Sequence, residues 1–110
     1  MVKYSEPALD RVFAALSDPT RRAILARLSE QQTASVSELA APLPISLPAV
    51  MKHLDVLEGA GLVARHKTGR TVACRLTAAP MEDAMAWLTR YQRFWTESLD
   101  RLAALVEEKP

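Results

Sequence analysis

The chain has 110 residues, 49% of them hydrophobic and 25% charged, with a formal net charge of +1. That length supports one core rather than two domains, and the apolar share excludes an intrinsically disordered chain. No apolar run reaches the ~18 residues of a membrane span, and the start MVKYSEPALD lacks the basic patch and apolar stretch of a secretory leader, so a cytoplasmic protein with no membrane partner is expected.

In chain order, Leu9, Val12, Phe13 and Leu16 recur at three- and four-residue steps, which predicts a first helix over 6–16. Ser17-Asp18-Pro19, a polar cap followed by proline at the first helical position, starts a second. Ile24, Leu25 and Leu28 form its inward stripe, and Ser29 is its expected end. After a polar loop, EQQTAS, a very short third helix over 36–41 carries Leu39 and Ala40, with Ser37 as its expected cap. Pro42 and Pro44 close it, because proline disfavours helix in the residue before it. Ser46 then caps a fourth helix with Pro48 in its first turn, where the missing N–H does no harm. A helix, a turn of about three or four residues and a second helix make a helix-turn-helix candidate.

The fourth helix is expected to end at Gly59, with Gly61 allowing a left-handed exit. From Leu62 to Leu76 the chain alternates, Val72, Cys74 and Leu76 on one face and Thr71, Ala73 and Arg75 on the other. With a tight turn at Thr68-Gly69, this predicts a two-stranded ribbon. Cys74, the single cysteine, has no second thiol for a disulfide or a shared metal and reads as a small buried hydrophobe in a reducing compartment.

The last element is one long helix over 81–108, opened by Pro80, with apolar residues at 81, 85, 88, 91, 95, 99, 102 and 106. At about 1.5 Å per residue it runs to roughly 40 Å, longer than a domain this small covers. Trp87, Phe94 and Leu105 widen its apolar stripe. The first half fits a core helix, whereas the second requires a partner surface. A homodimer is therefore expected, packed through the terminal helices with Leu9, Phe13, Trp87, Leu88, Tyr91, Trp95, Leu99, Leu102 and Val106 at the interface. The expected fold is mainly α with a small β-hairpin, a winged helix-turn-helix in the order α-α-α-α-β-β-α. It forms one domain over 1–110, with 80–108 as the dimerisation helix.

At 100° per residue, Leu47, Val50, Leu54 and Leu57 fall in one quadrant of the fourth helix, its expected buried stripe. Pro48, Ala49, Lys52 and Val56 then point outwards, with Met51, His53 and Asp55 at the edges. Small and apolar side chains beside one lysine suit a helix lying in a DNA groove. Helix-turn-helix geometry also occurs in proteins that never touch DNA, so the helix alone leaves both readings open. The ribbon tips the balance. Residues 61–75 hold Arg65, Lys67, Arg70 and Arg75 and no acid, while acids outnumber bases six to four from residue 81 onwards. A cationic wing separated from a mildly anionic spine is what a phosphate-facing element requires.

Arg21 and Arg22 have two readings, phosphate contact or pairing with a nearby acid. His53 is either a half-buried hydrogen-bonding residue or a DNA contact, and His66 an exposed polar group or a phosphate contact. Neither histidine has a second Cys or His at ligand spacing, so no metal or other cofactor is expected. With no nucleophile and base pair, glycine-rich phosphate loop or carboxylate pair either, an enzyme is not expected.

The segments LSDPTRRAILARL, VSELA, ISLPAVMKHLDVLEGAGLV and the GR-containing wing, in this order, resemble the arsenical-resistance-repressor (ArsR) family of winged helix-turn-helix regulators, from about Leu9 to Leu105. The resemblance implies a homodimeric bacterial repressor on an imperfect inverted repeat of double-stranded DNA. The recognition helix, 46–59, would enter the major groove and the wing, 62–76, would lie beside the backbone or minor groove. Metal-sensing members carry paired cysteines in the third helix, or His and Asp ligands in the last. Here the third reads ELAAP and the last has no His or Cys. The chain is thus more similar to a metal-free branch whose recognition helix reads PAxMKHL and whose last helix reads WLxRYxxFWxxxLDRL, here AWLTRYQRFWTESLDRL. On this reading Pro48, Ala49, Met51 and Lys52 approach bases, with Ser46 and His53 as second-rank contacts, and Arg65, Lys67 and Arg70 touch backbone or minor groove. Two alternatives stay open: a small-molecule effector entering between Trp87, Tyr91, Phe94 and Trp95, where dimer core is the commoner use of such rings, and a protein-interaction module.

Overall fold

A computed structural model describes residues 6–107. The expected helix end at Glu108 and the expected leader-free start at 1–5 lie outside the described residues. The elements run α1 (Glu6–Leu16), α2 (Pro19–Gln31), β1 (Thr33–Ser35), α3 (Val36–Ala40), α4 (Leu47–Gly59), β2 (Val63–Thr68), β3 (Thr71–Leu76) and α5 (Ala79–Glu107). This is the expected mainly helical winged helix-turn-helix, with one strand more than the sequence reading allowed.

The helix starts follow from local chemistry. At α2, Asp18 accepts a hydrogen bond from the Arg21 backbone N–H at 3.1 Å and Pro19 takes the first helical position. Ser46 does the same for α4, its Oγ accepting from Ala49 N–H at 3.3 Å. The expected Ser37 cap of α3 is corrected to Ser35. Its Oγ accepts from Glu38 N–H at 3.1 Å while Glu38 Oε1 accepts from Ser35 N–H at 2.7 Å, a reciprocal capping box.

Helix α2 runs to Gln31, past the expected stop at Ser29. The chain leaves at Gln32, which adopts φ 70° so that its N–H closes on Leu28 O at 3.0 Å. A positive φ at a non-glycine residue is not readable from the sequence. The turn between α3 and α4 spans residues 41–46, longer than expected, because two prolines must be accommodated while Leu43 and Ile45 tuck part of their side chains against the core.

The expected two-stranded ribbon is a three-stranded antiparallel sheet in the order β1-β3-β2. Thr33, Ala34 and Ser35 pair with Arg75, Cys74 and Ala73, and β2 pairs with β3 from Val63↔Leu76 to Thr68↔Thr71. Three residues are too few for alternation to reveal β1 within EQQTAS. The α4 exit is a Schellman closure around Gly61 at φ 77°: Leu62 N–H bonds Leu57 O and Gly61 N–H bonds Glu58 O, both at 2.9 Å.

One core lies under these elements, formed by Leu9, Val12 and Ala15 of α1, Ile24, Leu25 and Leu28 of α2, Leu39 of α3, Val50, Leu54 and Leu57 of α4, Leu62 of the turn that follows it, and Val63 and Cys74 of the sheet. Cys74 is fully buried, as expected of a small hydrophobe, and burial pushes its thiol pKa up. The radius of gyration is 18.7 Å, against about 13 Å for a compact chain of this length. The excess is α5. Its 29 residues extend roughly 43 Å at 1.5 Å per residue. Ala84 is buried and Met81 and Trp87 pack on the core, but beyond them the helix leaves the body. No helix among the described residues is long and apolar enough to cross a membrane.

Candidate nucleic-acid interface

Helix α4 is seated by Val50, Leu54 and Leu57, all at 0% exposure. Complete burial on one side fixes which residues face out. Pro48 and Lys52 are exposed, Ala49 and Met51 are half-buried and Ser46 stands exposed at the tip. Leu47, expected in the buried stripe, is instead 51% exposed. It is the first helical residue, where the backbone still diverges from the body, so it misses the core that Val50 reaches one turn later. Leu47 and Met51 of α4 line a cleft of about 320 Å³ together with Ser37, Arg70 and Val72. The recognition-helix start and the wing tip thus share one surface.

The wing supplies the cations. In β2 and β3 the closing pair Thr68↔Thr71 leaves a two-residue loop, Gly69–Arg70, with Gly69 at φ 62°, the glycine-first arrangement suited to a tight hairpin. Lys67 and Arg70 are exposed there, as is His66. The side chains of Lys52, Lys67 and Arg70 have no hydrogen-bond or ion-pair partner among the described residues. Arg70 lines the cleft, and Lys52 and Lys67 are exposed on the helix and strand that form its two sides.

The other predicted basic residues are engaged elsewhere. Arg65 donates to Glu58 Oε1 from Nε at 3.1 Å and from Nη2 at 2.5 Å, and to Asp55 Oδ1 from Nη2 at 2.7 Å. Its side chain is 17% exposed, and where a backbone or minor-groove contact was expected the structure has it ion-paired to α4. Those two carboxylates raise its already high pKa.

The guanidinium groups of Arg21 and Arg22 have no acid partner among the described residues and donate to the end of α1, with Arg22 remaining exposed. Arg21 donates to Ala15 O at 2.8 Å and Ala14 O at 3.0 Å, and Arg22 to Leu16 O at 2.7 Å. These are carbonyls of the last turn of α1, which lack partners within the helix. Arg21 Nη1 also lies 3.2 Å from His53 Nδ1. Asp18 lies 3.9 Å from the same Nδ1. Its carboxyl sits below its ordinary pKa of 3.8, first through the Arg21 backbone N–H and, against the cost of desolvation, through His53. His53 is half-buried and in contact with Arg21, as the first of its two readings expects.

The second exposed surface is apolar. Leu88, Tyr91, Trp95, Leu99, Leu102 and Val106, all expected at a dimer interface, are exposed along α5, and Met85, Phe94 and Leu105 extend the stripe; Trp95 is 62% exposed and Leu99 63%. Phe13 and Trp87 bound it, packed edge to face with ring centroids 5.5 Å apart, and Trp87 meets Tyr91 at 5.1 Å. Leu9 is corrected: at 7% exposure it belongs to its own chain's core, because the α1 face that carries Val12 and Ala15 is turned inwards.

Sequence reasoning missed Asp18, Asp55 and Glu58 as partners in this framework. The acids at 55 and 58 share one side of α4 by their spacing, which was the available signal for an arginine on the following strand.

A helix-turn-helix domain model matches residues 16–66. The regulator Rv2034 of Mycobacterium tuberculosis is 40% identical over 109 residues, 99% of this chain and 96% of that one. The transcriptional repressor SdpR of Bacillus subtilis is 30% identical over 83 residues, 76% of this chain and 91% of that one. Among solved structures, the crystal structure of the ArsR family transcriptional regulator RHA00566 superposes with a TM-score of 0.78 at 44% identity, covering 87% of this chain and 97% of that one.

Proposed function

From the ArsR family of winged helix-turn-helix transcriptional regulators, to which this chain belongs, we infer a homodimeric cytoplasmic repressor that occupies an inverted-repeat operator. Each protomer lays α4 in a major groove and its wing along the adjoining backbone. Pro48, Ala49, Met51 and Lys52 face the bases and Ser46 the groove edge, while Lys67 and Arg70 take phosphates. Arg21, Arg22 and His53 hold the frame behind them. The repressing sense of the regulation follows the likeness to SdpR.

The observation that carries this reading is the cleft shared by Leu47 and Met51 of α4 with Arg70 of the wing, on elements that also carry the exposed Lys52 and Lys67. Phosphate contacts position a protein on a duplex and base contacts specify where; this surface offers both on one side. The exposed stripe of α5 supports the dimer, in which one segment, 80–108, serves as the dimerisation helix of a one-domain chain. Signalling without a resident metal is supported by the donor set, since α3 reads VSELA and α5 holds neither His nor Cys.

Affinity for mixed-sequence duplex DNA, measured against salt concentration, tests the reading. Log K falls linearly with log salt, and Lys52→Ala or Arg70→Ala lowers the slope by about one unit each. No binding at low salt, or slopes unchanged in both variants, would overturn it.

A further inference from the structure

We propose that Arg65 is a positioning residue for DNA binding: by gripping Asp55 and Glu58 together it fixes the wing's angle to the recognition helix and masks two carboxylates beside the phosphate path. The proposal rests on the DNA-binding reading above.

The wing needs such a device. After α4 the chain turns through Gly59–Leu62, and Val63 is the last fully buried residue of β2. From His66 through Thr71 every residue is exposed, and beyond the root of the ribbon the wing meets the body at the open cleft that Arg70, Thr71 and Val72 line with Leu47 and Met51. On the other edge, β1 supports β3 only opposite Ala73 to Arg75. Arg65 stands at this boundary, and its guanidinium reaches back to α4.

The geometry is specific to arginine. Two nitrogens, Nε and Nη2, reach Glu58 while Nη2 also reaches Asp55. A planar fork satisfies two carboxylates in fixed directions, whereas a lysine ammonium presents one point charge on a flexible stem. Arg65 is far less exposed than Asp55, 17% against 65%. Releasing it to a phosphate would leave two acids of the recognition helix unpaired and facing polyanionic DNA. Holding it there lets Lys67 and Arg70, two and five residues further along, project at a set angle. Arg65 thus acts through those residues rather than by touching DNA.

A double-mutant cycle on mixed-sequence duplex DNA at low salt tests this, with circular dichroism and sedimentation confirming fold and assembly. R65A, R65K and R70A are each expected to weaken binding about tenfold, and R65A/R70A also about tenfold rather than the hundredfold of independent contacts. The D55N/E58Q variant, which leaves no carboxylate to unmask but frees the Arg65 guanidinium, is expected to abolish the R70A penalty, because the wing is no longer held to α4. Should R65A fold poorly, that second arm decides alone. Additive R65A and R70A penalties, R65K binding like the parent, or an undiminished R70A penalty in D55N/E58Q would show Arg65 to be an ordinary phosphate contact and overturn the proposal. Failure of the parent protein to bind duplex DNA at all would instead remove the DNA-binding reading itself.

Discussion

Helices α4 and α5 are both amphipathic, yet they solve opposite problems. The apolar stripe of α4 is met within the chain at Val50, Leu54 and Leu57, all at 0% exposure, and what remains outside is mixed, with Leu47 and Val56 beside Lys52 and two carboxylates that Arg65 holds. The apolar face of α5 is met only as far as Trp87; beyond it Trp95, Leu99, Leu102 and Val106 stand in solvent. A face left polar and unpaired suits a polyanion, whereas an apolar stripe of this length suits another protein surface. On the function proposed above, the contrast separates the surface for DNA from the surface for a second copy.

The strongest way to break the contrast is to charge the unmet stripe. Leu99→Asp with Leu102→Asp should give a folded monomer by sedimentation and lower operator affinity by roughly two or more orders of magnitude, since two linked half-site contacts become one. A dimer that survives both changes would mean that α5 is not the joint. In that monomeric background the two faces should also separate energetically. Leu54→Ala should cost about 2–5 kcal/mol in denaturant unfolding, because it empties a closed core position. Val106→Ala there should cost less than about 0.5 kcal/mol, as at any surface site away from packing.

The end of α4 offers a smaller test. Gly61 has φ 77°, and a Cβ there would lie 3.1 Å from Pro80 Cγ. Gly61→Ala should therefore destabilise by about 1–2 kcal/mol through the left-handed backbone alone, weakening the joint between the DNA-facing helix and the dimer helix together.

The smallest expected effect is on acid stability. The Asp18 carboxyl is held below 3.8 chiefly by the Arg21 backbone N–H, and that of Glu38 below 4.5 chiefly by the Ser35 backbone N–H. Both carboxylates favour the folded state, so their contribution is present above those ordinary values and is lost as pH falls through the lower folded ones. Asp18→Asn with Glu38→Gln should flatten the acid limb of a stability–pH profile below about pH 4.5 and leave its neutral limb parallel to the parent. An unchanged acid limb would count against both caps.

Much of the fold was legible because its signals are local. Asp18-Pro19, Ser46-x-Pro48 and Gly61 mark two helix starts and one exit by chemistry that needs no tertiary context. The Ser35 to Glu38 box was legible in principle, but it overlaps β1, three residues that exist only because Cys74 and its neighbours lie opposite. Lys52, Lys67 and Arg70 were legible as cations, and the structure leaves them unpaired. Arg21, Arg22 and Arg65 were equally legible as cations, but their partners were not. Those of the first two are backbone carbonyls of α1, which no motif marks, and those of Arg65 come into reach only when the turn after Gly59 folds β2 back on α4. Leu47 shows the same limit from the other side, since angular position on a helix says nothing about whether the body extends that far.

Selection of bound sequences from a random pool of duplex DNA tests the two-surface arrangement most directly. Two recognition helices related by the α5 pairing should recover an inverted repeat with half-site centres about 34–36 Å apart, or a multiple of that spacing. Recovery of a lone half-site, a direct repeat or no preferred sequence would contradict it.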